Sequence, residues 1–236
     1  MLTERIRQLT VEIDNLAGLK AAAAEAARFD VRVKQLENPL TEIEALATTH
    51  QILRMKNVKV ELDEEYIAAL KSNLEKVSAE FKDDPKSILQ PDQGLKFHFW
   101  TPLQQFPERI NTSLLNAWKL YVHGKSPRIA DDILMVLGNI AAFREQVHAI
   151  IDLQSKIRIL CSTLPTTAEA FDQADKVTSK LTETWQNLQG DGIPSEVLEF
   201  IKKAADDGAS FMDLSDSILA WLKSRNLVEM LKITIR

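Results

Sequence analysis

The beginning of the chain carries an apolar stripe with helical spacing. Leu2, Ile6, Leu9, Ile13 and Leu16 follow one another in alternating steps of four and three residues. This spacing places the five side chains on one face of an α-helix, as in a coiled coil that packs against a partner helix. We call these five residues the N-terminal stripe. They predict a long amphipathic helix that self-associates or binds another coiled coil.

The same steps resume between residues 29 and 47, out of phase with the N-terminal stripe. Asn38 and Pro39 interrupt this run, so the helix is expected either to kink or to restart there. A further helical face follows at Ile67, Leu70, Leu74 and Val77. The N-terminal helical arm, residues 1–82, is therefore either extended, or folded back so that this second helix covers the N-terminal stripe within the same molecule.

The remaining pattern predicts an all-α protein. Ala, Leu, Glu, Lys and Gln outnumber β-branched residues, which favours helices. Three helix breakers, Pro85, Pro91 and Gly94, predict an irregular linker. A helix from residue 126 to about residue 160 is apolar around much of its circumference and is expected at the centre of a bundle. The predicted domains are a helical arm or coiled-coil hairpin (1–82), the linker (83–101), a helical bundle (102–190) and a small C-terminal module (191–236).

Composition narrows the class of protein. The chain has 236 residues, of which 45% are hydrophobic and 27% are charged, as in ordinary globular proteins. Its net charge of −5 argues against a general polyanion binder. Cys161 is the single cysteine and cannot form an internal disulfide, which favours a reducing compartment. Without a signal-peptide core or a sufficiently long apolar run, the chain is expected to be cytoplasmic and free of membrane contact.

Candidate catalytic and metal-binding residues are not found. Gly124, Lys125 and Ser126 resemble the end of a phosphate-binding loop, but Lys119 stands where that loop requires glycine. The four histidines are too widely spaced to suggest a zinc site. We therefore predict no catalytic, cofactor or metal-ligand residue and no enzymatic activity. An enzyme whose site is assembled from scattered polar residues is a competing hypothesis.

An aromatic cluster lies at the end of the predicted linker, where Phe97, His98, Phe99 and Trp100 are consecutive. One interpretation is a docking motif in which Phe97, Phe99 and Trp100 anchor a protein partner. The other, which we favour, is that Phe97 and Phe99 hold the linker against the bundle.

The C-terminal module is expected to contain a helix, a turn at Gly208, a second helix and, at residues 232–235, a terminal strand or extended hook. This order is similar to part of a winged helix. Lys202 and Lys203 would then be candidate contacts to nucleic-acid phosphates. A nucleic-acid-associated protein is thus the alternative function, although a small helical cap or partner-docking module fits the nearly balanced charge better.

Three pieces of the C-terminal module, residues 195–200 (SEVLEF), 218–222 (ILAWL) and 226–235, resemble the tails of some proteins from bacterial phage-defence operons. The resemblance covers about a sixth of the chain and includes no catalytic motif. It implies an accessory subunit that assembles with an ATPase or a nuclease. Together with the N-terminal stripe, it predicts a non-catalytic scaffold or adaptor within a larger intracellular assembly.

Overall fold

The all-α prediction is confirmed for the part of the chain that the structure describes. The computed structural model describes residues 2–90, 93–188, 193–206, 208–225 and 227–228, and its regular elements there are all helical. The α-helices are α1 (Leu2–Met55), α2 (Glu64–Asp83), α3 (Gln93–Leu95), α4 (Thr101–Lys125), α5 (Asp131–Gly138), α6 (Arg144–Ser162), α7 (Ala168–Gln186), α8 (Ser195–Asp206) and α9 (Asp216–Ser224). Short 3-10 helices span Pro85–Leu89, Ala141–Phe143 and Phe211–Asp213, and a π-helix spans Lys96–Trp100.

The chain divides into two compact units. Unit 1 comprises Met1–Gln51 and Val60–Leu114, and unit 2 comprises Ile52–Lys59 and Leu115–Arg236. This division differs from the predicted domain boundaries, because the division after Leu114 falls inside α4. The predicted strand at residues 232–235 lies outside the described residues.

The first helix, α1, is one continuous helix of 54 residues with Pro39 in its interior, and all but its last four residues belong to unit 1. The kink or restart expected at Pro39 does not end the helix. An internal proline removes one backbone hydrogen bond and costs about 3 kcal/mol, which a long and partly packed helix can absorb. Pro39 is itself buried.

The segment predicted as an irregular linker is largely helical and belongs to unit 1. The carboxylate of Asp84 accepts a hydrogen bond from the backbone N–H of Lys86, and Pro85 occupies the first turn of the 3-10 helix that follows. Proline is well suited to a first helical turn because the N–H it lacks would have no partner there. Pro85 therefore marks where a short helix begins, and Gly94 lies within α3, whereas Pro91 is outside the described residues.

The core of unit 1 is built around the aromatic segment. Ile88, Leu89, Phe99 and Trp100 form a buried cluster, against which pack the partly buried side chains of Phe29, Leu36, Val77, Leu95 and Leu103. The Nδ2 of Asn73 donates a hydrogen bond of 2.8 Å to the carbonyl of His98, within the π-helix. Phe29 and Leu36 of the second apolar run thus pack into an intramolecular core, whereas Val33 and Leu40 of the same run are 48% and 55% exposed.

The core of unit 2 lies between α4, α5, α6 and α7. Trp118 is buried, its Nε1 donates to the carbonyl of Leu160 at 2.8 Å, and its ring lies 5.2 Å from that of Phe171. The prediction of a single long helix from residue 126 to about residue 160 is wrong. This part of the chain forms α5, a 3-10 helix and α6 instead, because α5 ends at Gly138 and Ile140 adopts an extended conformation.

Candidate docking surface

The N-terminal part of α1 exposes its apolar side chains. Every side chain from residue 11 to residue 24 is exposed, including Ile13 at 62%, Leu16 at 57% and Leu19 at 68%. Leu2, Ile6 and Leu9 belong to the same helix, although their side chains lie outside the described part of the structure. The described members of the N-terminal stripe therefore face water.

The folded-back alternative fails for Ile13 and Leu16. On α2, Leu70 is buried, Ile67 and Val77 are half-buried, and Leu74 is 48% exposed. Val77 packs against the buried cluster of unit 1. Because Ile13 and Leu16 keep most of their surface in contact with water, α2 does not cover them.

Helical geometry separates the exposed side chains into two faces. With about 100° between successive residues, Ile13 and Leu16 lie about 60° apart on one face. Val11 and Gly18 lie about 20° apart, on the opposite face. Val11 is exposed, and a side chain added at Gly18 would meet no neighbouring atom within 4 Å. These two positions are therefore suitable controls for substitutions in the N-terminal stripe.

The aromatic cluster is not an exposed docking motif. Phe99 is 2% exposed and Trp100 is 6% exposed, and their rings meet edge to face at 5.0 Å. The guanidinium of Arg32 lies 4.9 Å from the centre of the Trp100 ring. Of the three proposed anchors, only Phe97 is accessible, at 62%, and His98 beside it is also exposed. The proposed anchors Phe99 and Trp100 are thus core residues, and they pin the segment to unit 1 instead.

A groove of about 410 Å³ in unit 1 runs beside the π-helix. Its polar lining includes Asn73, Lys76, Glu80, Ser87 and His98. Asn73 is occupied by its hydrogen bond to the His98 carbonyl. Among the described residues, no three His, Cys, Asp or Glu side chains meet as metal ligands would. The groove therefore offers a surface of mixed polar and apolar side chains.

Lys202 and Lys203 are already engaged within unit 2. The Nζ of Lys202 donates to the carbonyl of Gln186 at 2.6 Å, and Lys203 forms an ion pair of 2.7 Å with Asp213. The hydrogen bond from Lys203, followed by that from the backbone N–H of Ser210, lowers the pKa of the Asp213 carboxyl. These contacts weaken the case for the two lysines as phosphate ligands.

One polar cluster of unit 2 was not anticipated from the sequence. The hydroxyl of Tyr121 donates to the carboxylate of Asp175 at 2.9 Å, and Lys125 pairs with the same carboxylate at 3.0 Å. Desolvation raises the pKa of Tyr121, and the hydrogen bond to Tyr121 raises the pKa of Lys125. Asp175 is 50 residues from Lys125, so no local spacing could have revealed the cluster.

Cys161 is a buried cysteine that lies close to a histidine. Its sulfur lies 3.9 Å from the Nε2 of His123, the kind of pairing that thiol enzymes use. Burial nevertheless raises the pKa of the Cys161 thiol. Since the thiolate is the reactive form, a raised pKa disfavours the reactive form of Cys161.

Comparisons of the chain with protein-family models, curated proteins and solved structures found no match. None of the helices among the described residues combines the length and apolarity that a membrane crossing requires.

Proposed function

We propose that this chain is a non-catalytic scaffold subunit that binds another helix on the N-terminal stripe. The observation that carries this proposal is the exposure of Ile13 and Leu16 on a helix whose later residues, Phe29 and Leu36, pack into unit 1. One part of α1 is held by the core while the other presents apolar side chains to water. An anchored helix with a free apolar face is suited to capturing a second helix.

The energetics indicate how much of the stripe a partner must cover. Full burial of a Leu or Ile side chain contributes roughly 1.5–3 kcal/mol, so Ile13 and Leu16 together supply about 3–6 kcal/mol. Association costs an estimated 4–15 kcal/mol in lost translational and rotational freedom. Two residues are insufficient against this cost. A stable complex requires contact along the whole stripe, from Leu2 to Leu16, over about 21 Å of helix.

The proposed setting is a multi-component intracellular assembly. The resemblance of residues 195–200, 218–222 and 226–235 to tails of phage-defence proteins supports an accessory subunit, with an ATPase or nuclease subunit as partner. In that setting the N-terminal stripe would supply a helix–helix contact within the assembly, and the ATPase or nuclease subunit would supply the chemistry.

The test compares two double variants of the tagged chain in its native cell. Ile13→Asp with Leu16→Asp places two charges in the stripe, whereas Val11→Asp with Gly18→Asp places two charges on the opposite face of the same helix. Proteins retained by each variant are identified by mass spectrometry. We expect the stripe variant to lose the protein partners that the wild-type chain retains and the control variant to keep them.

Nuclease treatment of half of each lysate addresses the alternative function. A partner bound through the stripe survives the treatment. Recovery that disappears with nuclease and with Lys202→Glu plus Lys203→Glu, but not with the stripe variant, would replace the scaffold hypothesis with nucleic-acid association. Identical recovery by both Asp variants would show that the stripe binds nothing.

A further inference from the structure

The order of residues within the N-terminal stripe identifies the kind of helix pairing it suits. In heptad notation, Ile6 and Ile13 occupy the a positions, and Leu2, Leu9 and Leu16 occupy the d positions. A β-branched residue at a combined with leucine at d favours parallel two-stranded coiled coils over trimers and tetramers. This pattern is specific, because the reversed assignment of Leu and Ile favours higher oligomers.

The positions that flank the stripe are compatible with pairing between identical helices. The e positions are uncharged: Thr3, Thr10, Ala17 and Ala24. In a parallel pair, each g residue faces the e residue five positions further along the other helix. The facing pairs would be Arg5 with Thr10, Glu12 with Ala17, and Leu19 with Ala24. No like charges meet in this arrangement.

An antiparallel pair is less favourable. If each a residue faced a d residue of an antiparallel second copy, with Leu9 opposite Ile13, the g positions would face one another. Glu12 would then meet Glu12 of the second copy, and like charges at such flanking positions oppose association. In the other antiparallel register, with Leu9 opposite Ile6, Arg5 would meet Glu12 favourably, but Leu16 would lie outside the seam. Only the parallel, in-register arrangement buries all five residues of the N-terminal stripe in both copies, and this longer seam favours it.

The sequence also indicates where the pairing ends. Lys20 occupies the next a position after Ile13 and is exposed. In a parallel pair its ammonium group would approach the same group of the second copy. Beyond it, Phe29 and Leu36 pack into the core of unit 1 and cannot also line an intermolecular seam. The paired segment is thus confined to residues 2–19.

We propose that the occupant of the N-terminal stripe is a second copy of this chain, bound in a parallel, in-register, two-stranded coiled coil of residues 2–19. This inference rests on the proposed function and names the partner of the same surface. The assembly that it defines is a homodimer in which both N-termini lie at one end of the paired segment. Because the seam is short, dissociation into monomers on dilution is expected.

Light scattering of the full chain across a concentration series tests the dimer. We expect the wild-type mass to rise toward that of a dimer and to fall to that of a monomer with Ile13→Asp and Leu16→Asp. The control, Val11→Asp with Gly18→Asp, should dimerise like the wild type. Circular dichroism of each variant verifies that helix content is retained, so that a lost dimer is not a lost fold.

Disulfide trapping tests the orientation. In a Cys161→Ser background, which leaves no other cysteine, Ile13→Cys should cross-link to itself under mild oxidation because a positions face each other in a parallel pair. Val11→Cys, on the opposite face, should not. An antiparallel pair would instead give its highest yield in a mixture of Leu9→Cys and Ile13→Cys chains, and this result would overturn the proposed orientation.

The outcomes separate this inference from the proposed function. A wild-type chain that stays monomeric at every concentration, but loses its cellular partners with Ile13→Asp and Leu16→Asp, overturns the homodimer and leaves the scaffold function standing. A chain that stays monomeric and keeps the same partners in both Asp variants overturns both the homodimer and the scaffold function.

As a further check, Lys20→Ile should extend the seam and lower the dimer dissociation constant by at least ~10-fold. An unchanged dissociation constant would contradict the proposed register.

Discussion

The clearest test of the unit 1 core compares two phenylalanines in the same π-helix. Phe99 is 2% exposed and packs edge to face against Trp100, whereas Phe97 is 62% exposed. Truncating a fully buried phenylalanine to alanine typically costs about 3–5 kcal/mol in lost transfer free energy and cavity formation. Since no more than about two-fifths of Phe97 is buried, its truncation should cost less than about 1 kcal/mol. The pair is matched in residue type, element and chemical change.

Because the chain has two compact units, a single melting temperature would not isolate this effect. Hydrogen exchange measured by mass spectrometry resolves it, since peptides from α2 and from Pro85–Leu89 report on unit 1 directly. Phe99→Ala should speed exchange there by roughly 10²- to 10³-fold, the equivalent of about 3–4 kcal/mol. Phe97→Ala should change it less than about fivefold. Equal effects, or a larger effect at Phe97, would refute the assignment of Phe99 to the core.

Three further predictions concern unit 2. Trp118→Phe removes the hydrogen bond to the Leu160 carbonyl and should destabilise unit 2 by about 1–3 kcal/mol in urea unfolding; no change would mean that this bond contributes nothing. Gly208 has a φ of +86° with open space around it, so Gly208→Ala should cost about 1–2 kcal/mol from backbone strain alone, seen as faster exchange in α8 and α9; unchanged exchange would contradict this conformation. The lowered pKa of Asp213 means that its contacts stabilise the fold above its ordinary value of 3.8 and are lost as the pH falls through the lower folded pKa. Asp213→Asn should therefore flatten the acid end of the pH profile of hydrogen-exchange protection in α8 and α9, and a profile parallel to that of the wild type would exclude this contribution.

Periodicity was sufficient to predict the fold class and the long first helix. Spacing by three and four residues depends only on backbone geometry, so α1 and α2 could be identified from their apolar positions. Periodicity does not state what covers a face. Ile13 and Leu36 belong to similar patterns, yet one faces water and the other packs into unit 1. That difference depends on distant residues such as Ile88, which no local pattern reveals.

The boundaries of shorter elements were predicted less well, for local and long-range reasons. Pro85 indicated an irregular segment, but a proline in a first helical turn is compatible with a short helix. The π-helix is supported by the bond from Asn73 to His98, which crosses 25 residues of sequence. Gly138 was visible in the sequence as a weak helix former, and its neighbourhood does end α5. The apolar run around Gly138 favoured one long helix, but the glycine is the stronger local signal and marks the end of α5.

The candidate surface and the core of unit 1 are connected through α1 itself. Helices of about 12–15 residues are marginal in water when isolated, so residues 11–24 would hold their helical form poorly on their own. These residues continue directly into the segment of α1 that Phe29 and Leu36 hold in the core. Their helix therefore does not have to be nucleated separately. The exposed part of α1 and the part that packs into unit 1 are joined by four alanines at positions 21–24, and alanine has the highest helix propensity. Under the proposed pairing, residues 11–24 therefore meet the second helix already in helical form, and pre-ordering of this kind reduces the entropic cost of association.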